Sequence, residues 1–211
     1  ADVVADAIAQ HYWPRFAGDE LPEGPVAQSV ALADKLEALA GLFGIGQTPT
    51  GDKDPFGLRR AALGVVRILV ERKLGLPLSD AIGKAFDAFT AVPGVTRATA
   101  EVESFVLDRL RGYLREQGGT ANQVEALIAR RPATLASLPA RLAAVQAFER
   151  LPEAAALAAA NKRIVNILRK SGADAAAACR EALGVDGDGR FQRAFAVGVR
   201  ADGLDKPAGL A

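Results

Sequence analysis

Residues 44–62 read GIGQTPTGDKDPFGLRRAA and gather glycines, carboxylates and cations in the order that phosphate and metal loops use. A P-loop needs G-x-x-x-x-G-K-[ST], in which backbone N–H groups and the lysine hold phosphate. Gly46 and Gly51 have that spacing, but Asp52 stands at the lysine position, where a carboxylate repels phosphate. The dinucleotide pattern G-x-G-x-x-G fits Gly44 and Gly46 and then meets Pro49. A calcium loop could place Asp52, Asp54 and Gly57 at positions 1, 3 and 6. It then needs oxygen ligands at positions 5 and 12, where the chain has Phe56 and Leu63. A helix start fits better, with Asp54 as N-cap and Pro55 at the first helical position. Leu58, Ala62, Val65 and Leu69 then recur at helical spacing to about Lys73. Arg60 and Arg67 lie two turns apart with Gly64 between them. A mid-helix glycine costs roughly 1 kcal/mol against alanine, so it asks for a packing or access reason. The two arginines either cradle a phosphate over that bare backbone or form a solvated face, and the pattern alone favours the solvated face.

A second group of cations sits in AAANKRIVNILRK, residues 158–170, where Lys162, Arg163, Arg169 and Lys170 occur without an acid. On a helix Arg163 and Lys170 share a face, as do Lys162 and Arg169, an arrangement suited to phosphate-backbone contact or to plain solvation. Asn161 lies beside Leu157, Ile164 and Leu168 and, if buried there, needs a hydrogen-bond partner. Metal chemistry has little to draw on, because His11 is the single histidine. His11 reads as a core or interface residue. Asp34, next to Lys35, reads as an ion-pair or cap partner or as a remnant metal ligand. Aromatic residues look too sparse and too internal for a base-stacking platform.

The elements that must position these residues are helical. Alanine is abundant, half the residues are apolar, and β-branched runs are scarce. The expected helices cover 2–13 (Val4, Ile8 and His11 on one face), 26–43 (Leu32, Leu36, Leu39 and Phe43 buried), the segment from Pro55, and 79–89 with Ser79 as cap. Others cover 98–116 (Val102, Phe105, Val106, Leu110 and Tyr113 inward), a helix capped by Thr120 that stops before Pro132, 138–150 and 153–170. A short helix at 173–183 and a loose tail over 184–211 complete the reading. The net charge of +1 excludes a globally basic nucleic-acid binder but not local patches. A single cysteine, Cys179, rules out an internal disulfide and fits a reducing cytoplasm. No run approaches the roughly 20 apolar residues of a membrane span, and no signal peptide is read. The absence of Met fits a trimmed initiator or a piece of a longer chain.

Three stretches, HYWPRFAGDELP, LADKLEALAGLFGIGQTPTGDKDPFGLRRAALGVVRIL and LPEAAALAAANKRIVNILRK, strongly resemble the β subunit of bacterial glycyl-tRNA synthetase. The resemblance covers residues 1 to about 171. It implies an all-α, HD-domain-like helical bundle over 1–92, a helical connection toward an anticodon-binding domain over 93–171, and an unaligned tail over 172–211. It also implies that an α subunit carries the site for ATP, Mg and glycine, so no cofactor is expected in this chain. The β subunit would chiefly recognise tRNA(Gly). HD hydrolases hold metal with a His-Asp doublet and a later Asp; Asp34 resembles that later Asp, but the doublet is absent and only His11 remains. The resemblance therefore implies no catalytic residue here, a cytoplasmic setting, and no membrane or DNA partner. Arg15, Lys53, Arg59, Arg60 and Arg67 become the candidates for tRNA phosphate contact, with Lys162, Arg163, Arg169 and Lys170 as a second patch. The competing expectation is a structural and subunit-contact module without tRNA affinity.

Overall fold

The computed structural model describes residues 2–171, with side chains described to Asn166. Among the described residues the chain is all-α, and its only β pairings are isolated bridges at Thr50–Lys53 and Pro77–Thr134. The short helix expected at 173–183, the tail over 184–211 and Cys179 lie outside the described residues.

The described residues form eight helices, in order α1 (Asp2–Gln10), α2 (Gly24–Gly44), α3 (Leu58–Glu71), α4 (Leu78–Asp87), α5 (Thr99–Glu116), α6 (Ala121–Ala129), α7 (Leu138–Glu149) and α8 (Pro152–Ser171). The described residues divide into two compact units, one of residues 2–118 with 132–139 and one of 119–131 with 140–171. Helix α5, which follows the boundary expected near residue 92, packs on α3 and α4.

The centre of the first unit is α2, which packs against α1, α3, α4 and α5. Its expected stripe of Leu32, Leu36, Leu39 and Phe43 is buried. Periodicity at 3 and 4 residues puts these side chains on one face, and their removal from water is the main force holding the bundle. The stripe of α3 is buried as expected at Leu58, Ala62, Val65 and Leu69. In α5, Val102, Val106, Leu110 and Tyr113 point inward, whereas Phe105 is only half-buried and meets Phe43 at a ring separation of 5.2 Å. The second unit buries Val124, Leu127, Ile128, Leu142, Ala154 and Val165. Thr120 caps α6 with a reciprocal capping box: its hydroxyl accepts from the Gln123 N–H and the Gln123 side chain accepts from the Thr120 N–H.

The face of α1 that carries Val4 and Ile8 is turned to solvent: they are 60% and 65% exposed, and Ala7 is the helix's buried residue. Two local expectations change. Pro77, not Ser79, precedes α4 as its cap residue. The second change, at the start of α3, shapes the candidate site.

Candidate functional site

Asp54 does receive the first N–H groups of α3, but from farther upstream than an N-cap. Pro55 and Phe56 form a turn closed by the Gly57 N–H on the Asp54 carbonyl (3.2 Å), and the helix begins three residues later than expected. The Asp54 carboxylate then accepts from Leu58 N (2.8 Å) and Arg59 N (2.9 Å). The turn needs Gly57 twice. Its φ of +66° is a left-handed conformation, and an added Cβ would sit 2.8 Å from Arg60 Nη2. Without that carbon, the Arg60 guanidinium lies across the turn.

Gly64 has an equally concrete reason. A Cβ there would come within 2.7 Å of Lys35 Cε and 2.9 Å of Lys35 Cδ, with Pro14 behind at 3.6 Å. The bare backbone between Arg60 and Arg67 is therefore filled by the lysine stem and is not open to phosphate. Lys35 is buried, 5% exposed, and its Nζ donates to the carbonyls of Tyr12 (3.2 Å) and His11 (3.4 Å). Burial pulls its pKa below the usual lysine value, and the Asp34 charge offsets part of that shift. In the sequence Lys35 stands out only as a neighbour of Asp34. The only signal for its role was Gly64, a mid-helix glycine in want of a reason.

Arg15 and Asp19 are paired twice over. Arg15 Nε and Nη2 donate to the two carboxylate oxygens at 2.8 and 3.1 Å, and the Arg15 backbone N–H donates at 2.7 Å. These bonds hold the Asp19 carboxyl far below the usual carboxylate range, the guanidinium contributing most. Asp19 is buried while the Arg15 side chain stays 59% exposed.

Arg15, Lys35 and Arg60 meet in one cleft of about 450 Å³ with Asp34, Tyr12 and Phe56 also on its walls. Arg60 is exposed, and its side chain forms no hydrogen bond or ion pair with the described residues. Asp34, on the same wall, is exposed. His11 does not line this cleft; its Nδ1 donates to the Ile8 carbonyl at 2.6 Å, and its ring lies 3.9 Å from that of Tyr12. Among the described residues no group of three or more His, Cys, Asp or Glu side chains is placed to hold a metal ion.

The remaining sequence candidates separate. Arg67 is 11% exposed at its side chain and is engaged inside the fold. Its Nε pairs with Glu71 at 2.8 Å, and its Nη1 donates to the carbonyls of Asp19 (2.9 Å) and Phe16 (3.4 Å). With Arg72 Nη2 on the Leu21 carbonyl (2.7 Å), it ties the 16–21 loop to α3. Arg59 is half-buried and donates to the Gly51 carbonyl, closing the loop before the helix. Lys53 is exposed on that loop, its backbone bridged to Thr50. Lys162 and Arg163 are exposed on α8, in the second unit; Arg169 and Lys170 lie outside the residues whose side chains are described. The apolar side expected for α8 is open, with Leu157 and Ile164 56% and 49% exposed, and Asn161 is half-buried with a partner.

A family model described as "Glycyl-tRNA synthetase beta subunit" matches residues 1–129. This chain belongs to the glycyl-tRNA synthetase beta subunit family. It is 59% identical over 167 residues to the glycine--tRNA ligase beta subunit of Dechloromonas aromatica, a match that covers 79% of this chain and 24% of that protein. The beta subunits of Polaromonas naphthalenivorans and Aromatoleum aromaticum are each 58% identical, over 79% and 81% of this chain and 23% and 25% of theirs. The chain thus spans about a quarter of the length of these beta subunits. The family model contains the whole cleft, from Tyr12 to Ala61.

Proposed function

We propose that this chain is the part of a glycine–tRNA ligase beta subunit that holds tRNA(Gly) in position while an alpha subunit, using ATP and Mg²⁺, performs the ligation. The chain alone forms no glycyl-tRNA in this reading. The observation that carries it is Arg60: an exposed, unpartnered guanidinium, fixed over Gly57 and facing the same cleft as Arg15 and Lys35, in a chain of this family. Convergent cations of this kind suit a phosphate, which accepts hydrogen bonds on every free oxygen. Lys53 lies on the adjoining loop, and Arg59 closes that loop. Arg67 serves the site from behind by holding the 16–21 loop that carries Asp19, the orienting partner of Arg15. Lys162, Arg163, Arg169 and Lys170 form the second proposed patch. The 1–92 region, with Asp34 at the position of a lost metal ligand, is an HD-like bundle in this reading, and 93–171 its helical connection.

The test is a salt series of glycine tRNA binding to the purified chain, with Arg60→Ala beside it. Each phosphate contact contributes about one unit to the slope of log affinity against log salt, so the variant is expected to bind more weakly with a slope smaller by about one. An unchanged slope removes Arg60 from the interface. No binding at low salt refutes tRNA positioning by this chain.

One observation favours a second reading, a subunit-contact module. Val3, Val4 and Ile8 leave an apolar stripe of α1 in solvent, all at least 60% exposed, and such a stripe is a common seat for a partner. Copurification with an alpha subunit, lost in Val4→Ser/Ile8→Ser and accompanied by no tRNA affinity, would select it.

A further inference from the structure

We propose that the cleft between Arg15, Lys35 and Arg60 receives one unpaired nucleotide, its base against Tyr12 or Phe56 and its phosphate on the cations. This rests on the nucleic-acid reading above and specifies what part of the nucleic acid enters.

Three observations point beyond a bare phosphate. At about 450 Å³ the cleft has the volume of a small-molecule site, several times what one phosphate fills. Two of its walls are aromatic side chains left in water: Tyr12 is 63% exposed and Phe56 55%. Neither ring contributes to the core, and both sit at the cleft where a flat ligand could cover them. Aromatic residues thus do form a candidate stacking surface, contrary to the expectation from their sparse distribution. Sequence spacing could not bring together Tyr12, just past the end of α1, and Phe56, in the turn before α3.

Asp34 supplies the third observation. A carboxylate on the wall of an anion site repels a phosphate and offers it no donor to bind. A nucleotide brings donors as well, on ribose hydroxyls and base amino groups, so one cleft can use the exposed cations of Arg15 and Arg60, with Lys35 buried behind them, and one acceptor together. Stacking also selects the strand state. A paired base inside a helix already has both faces covered, whereas a loop or end nucleotide can present one face to an aromatic ring.

The experiment uses the purified chain and a short single-stranded RNA carrying 2-aminopurine, whose fluorescence is quenched on stacking. The duplex form of the same RNA and inorganic phosphate serve as comparisons. The single strand is expected to bind with quenching and more tightly than the duplex. Phe56→Leu and Tyr12→Leu are surface changes, so thermal melting should show both variants folded. At least one is expected to lose the quenching and about tenfold in affinity, the scale of one base–aromatic stack. Arg60→Ala should weaken the single strand as well. Equal binding of duplex and single strand, or unchanged affinity and quenching in both aromatic variants, overturns the nucleotide pocket. If Arg60→Ala alone has an effect, the cleft is a backbone phosphate clamp, and tRNA positioning survives without this inference. If neither tRNA nor the oligonucleotide binds at low salt, both fail together.

Discussion

Lys35 and Gly64 make one unit across two helices, and neither is intelligible alone. A lysine stem with its ammonium on two carbonyls fills the place where any larger residue at 64 would put its Cβ. Alanine is the better helix former by roughly 1 kcal/mol, so an unhindered Gly64→Ala would stabilise α3. Overpacking a filled site costs about 1–3 kcal/mol, and the contacts at 2.7 and 2.9 Å are of that kind. Gly64→Ala is therefore expected to lower stability in the native chain and to raise it when Lys35→Ala is already present. Denaturant melts of the two single variants and the double variant read the coupling directly. Additive effects would mean that Lys35 moves aside at no cost and that the packing account of Gly64 is wrong.

The elements carry the same lesson about what is local and what is not. All eight described helices lie within three residues of where apolar periodicity and turn residues place them, and the Thr120 cap is legible because all its partners lie within four positions. The start of α3 is also local, yet it diverged, because a left-handed Gly57 lets the chain complete a turn before the helix begins. Asp54 consequently caps two N–H groups from outside the helix. Asp54→Ala is expected to cost about 1 kcal/mol, as for loss of an N-cap, and to loosen the turn that carries Phe56 and supports Arg60. Asp54→Asn keeps an acceptor and should retain most of that stability; equal losses in the two variants would argue against capping. What periodicity could not supply is the depth and company of each charged side chain. Arg60 and Arg67 look alike on a helical wheel, but the 16–21 loop, about 50 residues away in sequence, covers Arg67 and leaves Arg60 open. Lys35 is buried by carbonyls 23 and 24 residues distant. The exposed face of α1 follows the same rule, since an amphipathic pattern marks an apolar face without naming what covers it.

At the scale of the whole molecule, these buried charges set how stability should depend on pH. The net charge of +1 leaves little global repulsion to build up near neutrality, so individual shifted groups dominate the two limbs. Asp19 has a folded pKa below its ordinary 3.8. As pH falls under that value the unfolded chain takes up the proton first, and stability drops toward acid. Lys35 has a folded pKa below 10.5. As pH rises toward 10.5 the folded state releases its proton first, the burial of charge is relieved, and stability increases. Tyr113 opposes this at the far end, because burial and then the Glu71 charge raise its pKa above 10.0, so its contribution is lost as pH climbs past that value. The lysine effect must therefore be read on the alkaline side of neutrality but below pH 10. Urea melts from pH 3 to pH 10 are expected to show a falling acid limb that Asp19→Asn flattens. They should also show a rising alkaline limb that Lys35→Met removes, methionine keeping the stem that packs on Gly64. If tRNA occupies the cleft, its phosphate favours the charged form of Lys35, so bound tRNA should suppress the alkaline rise in the native chain. A rise that persists unchanged with tRNA bound would place the phosphates elsewhere on the molecule.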